Sequence, residues 1–508
     1  MQMWDYYTKL IYRCENDLST PGFHVNWADA PRPYKVLNLE EYPLICSLDR
    51  TKGAFNPDIV LVQIMQALEV SYGLLNRRLD INSNDSIITH SDVKRARWGR
   101  GSASGGARYP ICIYLYIPKG FGIPQGLFFY SPIHSGLQLV NAAWKLHASG
   151  NPEYLTMFIT YKIWQNTFKY NNFTFEVMPT DVGTFMETFM LSCNESHIPL
   201  LIRRHYGRGW MDQSRDFSEP FLYELRLKKE LYHRSYEPAA SAMPNLLPSF
   251  AENELSTSVS FTNNKILMDC MQQLNNSVDT TSFAALSPSS DLPLGAVRNL
   301  RNVICRRVTS YGRFDMNIPF SVGDLMDLLS LTDDCLPEHW DTGLPSGSAA
   351  ESVTKEVNIS VNVLVCNAVG IDRGVYRYDP LEKKLIFVTK LSDTDVERLQ
   401  KAYLLDNYQL SAIPLVVVPT WCSVSSKLSV ESFLACNFAL GAWCQAIHLS
   451  ASAMKLGFGA ALGFNPRILQ EMLKCQSQDL PLLLGFIGHN AKAEASYHYE
   501  LVKGIADA

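Results

Sequence analysis

The sequence has no surplus of positive charge: across 508 residues, 45 lysines and arginines face 50 aspartates and glutamates, for a formal net charge of −5. A dedicated nucleic-acid binder needs a basic excess to neutralise phosphates, so the balance argues against that class. The twelve cysteines include no C-x-x-C pair and none of the paired spacing that a zinc site needs. The opening stretch, MQMWDYYTKLIYRCENDL, carries charges where a secretory signal would have its apolar run. Disorder is also absent from the composition, which is 47% hydrophobic and 19% charged. At roughly 100–200 residues per domain, the length leaves room for two or three domains. The expectation is a soluble, cytoplasmic protein with reduced thiols and no metal.

Uninterrupted hydrophobic runs are scarce as well. Residues 432–464 are long enough to span a bilayer, yet Asn437, Gln445, His448 and Lys455 interrupt them and Gly457, Gly459 and Gly463 break their end. No basic cluster flanks the run to set an orientation. A helix apolar all round also sits at the centre of a large globular protein, and the buried helix is the expectation here.

What the chain does contain is a repeat. GIPQGLFFYSPIHSGLQLV at 122–140 aligns without gaps to GIDRGVYRYDPLEKKLIFV at 370–388. Gly126 and Gly374 supply a turn, aromatic alternation reads as a strand, and a second strand follows, so each copy predicts a β-hairpin. LVQIMQAL at 61–68 resembles VGDLMDLL at 322–329, and VGTFMETFMLSC at 182–193 resembles LGAWCQAIHLSA at 440–451. Both pairs have helical spacing, and the second pair predicts helices opening at Gly183 and Gly441. Three blocks in one order, about 250–260 residues apart, predict two copies of one α+β unit. The units are placed at 1–234, with an N-terminal extension, and at 299–508. The Ser-, Pro- and Asn-rich stretch 235–298 between them is a connector with a short helix around KILMDCMQQL.

Tandem units with G-[LV]-[FY]-x-Y-[DS]-P hairpins resemble the nitroreductase superfamily, in particular its SagB/McbC-type azoline dehydrogenases. The resemblance covers most of residues 30–235 and 295–492. It implies an α+β pseudo-dimer with flavin mononucleotide (FMN) at the interface of the two units, each site drawing residues from both.

The resemblance also implies roles for particular residues. RRVTSYGRF at 306–314 is similar to the family's phosphate arm, with Arg306, Arg307, Ser310 and Arg313 as the donors. Arginine suits phosphate because its planar fork donates parallel hydrogen bonds. SASGGARYP at 102–110 resembles the loop that lies against the flavin ring, with Ser102, Ser104, Gly105 and Gly106. Glycine there lets backbone N–H groups approach a flat ring. The corresponding stretch LPSGSAAESVTKEV at 344–357 lacks the Tyr-Pro strand entry. Lys169–Tyr170, thirteen residues before Gly183, matches the pair the family uses in dehydrogenation. In the second half, Gly459 is expected close to the cofactor and Lys492, after LLLGFIGHNA, near its phosphate. GFGAALGF at 457–464 superficially reads as a dinucleotide fingerprint, but that motif follows a strand and here a long apolar helix comes first.

The halves are complementary: one keeps the ring-side loop and the Lys-Tyr pair, the other the phosphate arm. One flavin per chain is therefore expected, with the opposite interface empty. Oxidation of an azoline to an azole removes a proton and a hydride from adjacent ring carbons, and a positioned base assists the proton's departure. Tyr170 is the expected base and Lys169 its electrostatic partner, with the roles reversed if burial neutralises the lysine. Dioxygen is the expected oxidant. The absence of a winged-helix clamp before residue 30 favours a substrate tethered to a peptidyl carrier protein over a ribosomally made peptide. RRHYGRGW at 203–210 and KRARWGRG at 94–101 are candidate basic patches for the carrier. A homodimer stays open, as do two other functions: an NAD(P)H-dependent nitro or quinone reductase, and a flavin-free binding scaffold.

Overall fold

The computed structural model describes residues 3–15, 18–19, 22–26, 30–31, 34–49, 55–80, 96–142, 154–206, 219, 221–227, 264–276, 279–280, 284–289, 299–310, 314–337, 357–405, 409–422, 428–490 and 496–500. Two large antiparallel sheets dominate, and the repeat is visible in their strand order. In the first half the order runs Gly136–Asn141, Gly126–Ser131, Ile111–Ile117, Thr156–Tyr161, Phe221–Leu227, Leu200–Tyr206. In the second it runs Lys384–Lys390, Gly374–Asp379, Ile359–Val365, Leu415–Trp421, Leu484–His489, Leu456–Ala461. The aligned hairpin stands at the edge of the second order, and in the first only Leu44–Ser47 pairs outside it, against Gly136–Asn141. In each, a long helix links the fourth strand to the sixth: Thr174–Glu195 in the first half and Val430–Ala453 in the second.

Local chemistry sets the helix starts. Ser321 caps Val322–Cys335 and Ser429 caps Val430–Ala453, each in a reciprocal capping box with Asp324 and Ser432. Ile59–Tyr72 begins on Asp58, whose side chain accepts the Val60 N–H at 3.0 Å. The 432–464 run resolves into the buried helix Val430–Ala453 and the strand Leu456–Ala461. Among the described residues no helix is long and apolar enough to cross a membrane.

The long helices correct one expectation. Gly183 and Gly441 do not open them but lie near their middles, where the two helices cross. A Cβ on Gly183 would stand 2.8 Å from Ala442 N and 2.9 Å from Gly441 Cα. The glycines permit backbone-to-backbone contact rather than a turn. Around this crossing, one hydrophobic core runs through both halves, from Tyr6 and Leu68 to Phe433 and Ile487.

The halves are also laced together at their edges. The N-terminal helix Met3–Ile11 packs Tyr6 edge-on against both Phe175 and Phe433, and Tyr7 O–H donates to Gln478 O at 2.8 Å. In the opposite direction, the strand Ser496–Glu500 leaves the second half and pairs with Asn76–Asp80 of the first. Leu484–His489 is therefore followed by one more strand. From the 235–298 stretch, the predicted helix forms at Lys265–Asn276, and Asp279–Thr280 and Ala284–Leu286 add to the first sheet beside Leu200–Tyr206.

Candidate functional site

The seam between the halves holds a short segment, residues 100–109, tied down from every side. Its backbone is bent: Gly106 has φ +58°, and Ala107 and Tyr109, which are not glycines, have φ +56° and +51°. Left-handed conformations at such residues cost roughly 1–3 kcal/mol each and persist where the surroundings impose them. Ser102 N–H donates to Ser71 O at 2.9 Å. Ala103 N–H donates to Gln445 Oε1 at 3.0 Å, while Gln445 Nε2 donates to Gly101 O at 3.0 Å. Thr184 O–H donates to Ala103 O at 2.6 Å, and Gly105 N–H donates to Asp181 Oδ1 at 2.7 Å. Both central helices therefore grip this loop.

Arg307 grips it from the second half. It follows the helix Leu300–Arg306, and its buried guanidinium reaches across the seam. Nε donates to Gly101 O at 2.8 Å, and Nη2 to Arg100 O at 3.1 Å and Ser102 O at 3.4 Å. Nη1 meets His448 Nδ1 at 3.1 Å, while His448 Nε2 lies 3.2 Å from Val308 O. Since Val308 O can only accept, Nε2 carries the proton and Nδ1 accepts from Arg307; the imidazole is neutral. The fork expected to face a phosphate is turned toward the ring-side loop. Arg306, at the helix end, is exposed. Ser310 is buried, its N–H donating to Phe458 O at 2.9 Å and its hydroxyl to Asn490 Oδ1, both beside Gly457. Gly459 lies in the same strand, paired with Phe486. Arg313 and Lys492 lie outside the described residues, as do 344–356 and, of the two basic stretches, residues 94–95 and 207–210.

Lys169 and Tyr170 end the short helix Trp164–Tyr170 and are half-buried. They stand against the loop. A Cβ on Gly106 would meet Lys169 Nζ and come within 2.8 Å of Tyr170 Oη; one on Gly105 would lie 3.5 Å from the same hydroxyl. Lys169 Nζ is 5.2 Å from the Tyr170 ring centre. Immediately behind the loop, the buried Arg100 guanidinium stacks between Tyr72 and Tyr109 at 4.5 and 4.4 Å and lines a small cavity with Tyr130.

The site thus joins the ring-side loop and the Lys-Tyr pair of the first half to Arg307 of the second. Sequence reasoning did not assign Asp181, Gln445 and His448, though each is a polar residue on a helix buried all round. Gln445 and His448 stood out only as breaks in an apolar run. In Asp181, burial pushes the carboxyl up to about 7, against hydrogen bonds from Gly105, Asn166, Tyr161 and Ser104.

The loop also holds one polar atom with no partner. Ser102 Oγ is fully buried and makes no hydrogen bond, an omission that native proteins seldom leave unexplained. The surrounding chemistry is a strained glycine turn, a guanidinium-clamped backbone, an exposed arginine and the Ser310–Asn490 pair. These residues suit a planar, phosphate-bearing cofactor.

No protein-family model matches the sequence, and no curated protein matches it either. Solved structures do match. A protein of Anabaena variabilis provisionally described as a nitroreductase superposes with a TM-score of 0.66 at 15% identity, covering 97% of this chain and 100% of that one. The E. coli microcin synthetase complex bound to a truncated pro-microcin matches 37% of the chain at 17% identity with a TM-score of 0.28. A Ralstonia eutropha protein, also provisionally described as a nitroreductase, matches 39% at 22% identity with a TM-score of 0.27. The last two overlap too little to bear on the fold. The first spans it end to end: the chain has the nitroreductase fold, as two α+β units fused in tandem.

Proposed function

We propose that the protein is an FMN-dependent dehydrogenase that oxidises a thiazoline or oxazoline in a natural-product peptide to the aromatic azole. The observation that carries this reading is the placement of Lys169 and Tyr170 directly on the Gly105–Gly106 turn, in a loop clamped from the other half by Arg307. Arg306 would hold the cofactor phosphate, with Arg313 and Lys492 as further donors and Ser310 joining them once its hydroxyl turns away from Asn490, and residues 102–106 would face its ring. FMN, when bound, supplies the two-electron acceptor, with dioxygen as the terminal oxidant.

The chain's own residues deal with the proton. Tyr170 takes it from the azoline ring carbon, and the Lys169 ammonium favours the phenolate that does so. The opposite seam differs at matching positions: Gln445 and His448 align with Glu187 and Met190. One flavin per chain follows. The substrate is a peptide carried on a peptidyl carrier protein.

Mass spectrometry tests the reading. The purified protein is incubated in air with a thiazoline thioester on a carrier protein; the product should lose the mass of two hydrogens as peroxide appears. Denaturation should release one FMN per chain. An unchanged thioester, with NADPH consumed when a nitroarene or quinone is added, would overturn the assignment in favour of a reductase.

A further inference from the structure

Asp181, which no motif marked, connects four parts of the first half. It lies in the helix Thr174–Glu195 and is buried, with 3% exposure. Oδ1 accepts the Gly105 N–H at 2.7 Å. Oδ2 accepts from Asn166 Nδ2 and from the Tyr161 hydroxyl, each at 3.3 Å, and Asn166 Nδ2 also donates to Tyr161 Oη at 2.6 Å. Asn166 belongs to the short helix that ends in Lys169–Tyr170, and Tyr161 ends the strand Thr156–Tyr161. A single carboxylate therefore links the glycine turn to the helix bearing the two reactive side chains. The turn has no slack on its far side, where a Cβ on Gly106 would lie 3.1 Å from Lys169 Cδ.

We propose that Asp181 is a positioning residue of this site: its carboxylate fixes the Gly105 amide and so sets the register between the Gly105–Gly106 turn and the Lys169–Tyr170 pair. The inference rests on the dehydrogenase reading, in which that register matters for catalysis. An ionised carboxylate holds an amide N–H more strongly than a neutral acid does. The carboxyl titrates near neutrality because it is buried, so the grip on the turn loosens as the pH falls. The titratable groups around it are Tyr161 on the strand, Tyr72 on the helix Ile59–Tyr72 and Tyr170 beyond Tyr161, with Lys169 across the turn. Burial pushes Tyr161 and Tyr72 well above their ordinary range, so both stay protonated while Asp181 titrates.

Two measurements on the full-length protein, with its flavin, test this. Labelling serine carbonyl carbon and glycine nitrogen isolates the few Ser–Gly amides, among them Ser104–Gly105. In the wild type that amide should shift with a midpoint near pH 7, the value at which Asp181 titrates; in Asp181→Asn the shift should vanish. Asp181→Ala should lower kcat about 10²-fold, the scale of a displacement near 1 Å, with little change in KM. Asp181→Asn keeps an acceptor for Gly105 and should recover most of that loss, without the wild-type fall in rate at low pH. A pH-invariant Gly105 amide in the wild type, a shift that persists in Asp181→Asn, or wild-type turnover in Asp181→Ala would overturn the proposal. The amide titration needs no substrate, so it judges the Asp181 contact even if azoline turnover fails.

Discussion

Gly183 and Gly441 occupy equivalent positions in the two repeats and meet face to face. A Cβ on Gly441 would lie 3.0 Å from Gly183 Cα and 2.8 Å from the carbonyl carbon of Thr180. The two central helices therefore cross with their backbones touching, at the centre of a core shared by both halves.

Gly441→Ala should force the helices apart. The substitution gains about 1 kcal/mol of helix propensity, but overpacking of this kind costs roughly 1–3 kcal/mol, and here the obstacle is backbone that cannot rotate away. Net destabilisation is expected, seen as a lower denaturant midpoint with an unchanged slope. Gly183→Ala should behave alike.

Arg307→Lys retains the charge but not the planar fork that spans the carbonyls of Arg100, Gly101 and Ser102. Hydrogen bonds to charged groups contribute about 1.5–3 kcal/mol each. Both Arg307→Lys and Arg307→Ala should release the loop, observable as faster amide exchange at residues 101–106 and as loss of the proposed flavin on purification. Normal protection in the lysine variant would show that charge alone suffices.

Tyr170→Phe preserves the ring and removes the hydroxyl that faces Gly105 and Gly106. Flavin content and melting temperature should hold, while azole formation falls by about 10²–10⁴. Lys169→Ala should lose no more than that, and the double variant should be far from additive because the pair acts as a unit. A rate near wild type would return Tyr170 to a packing role.

Glu187→Gln should stabilise the protein. Glu187 is 2% exposed, its Oε1 has no hydrogen-bond partner, and burial alone pushes its carboxyl well above the ordinary 4.5. Because the folded value exceeds the unfolded one, the proton's stabilising contribution is complete below about 4.5 and is lost as the pH rises through the folded value. Denaturant unfolding at about pH 5 and about pH 8 should show the wild type losing more stability over that interval than the variant. Equal losses would show that Glu187 is not the source.

Much of the fold was legible because its signals are local. The hairpins at Gly126 and Gly374 announce themselves by a turn glycine and aromatic alternation, and the paired helices by their apolar spacing. Gly183 and Gly441 look like helix starts along the chain, because a glycine that starts a helix and a glycine that admits a second backbone are identical in sequence. Pairing between Asn76–Asp80 and Ser496–Glu500 has no local signature at all. At the site, the Lys169–Tyr170 pair and the 102–106 loop could be named from sequence. That Arg307 turns its fork toward the loop, and that Asp181 and Gln445 hold it, depends on partners hundreds of residues distant or on another element of the fold.

The exchanged strand sets a clock on the protein's birth. Asp80 leaves the ribosome more than 400 residues before its partner Ser496 has been made. At about 5–20 residues per second, the wait is on the order of tens of seconds. Throughout it, the strand Asn76–Asp80 has Ala96–Gly99 on one side and, among the described residues, no strand on the other, the kind of edge that recruits foreign strands. A nascent chain stalled before residue 496 should thus be more prone to aggregate than one in which Ser496–Glu500 has paired.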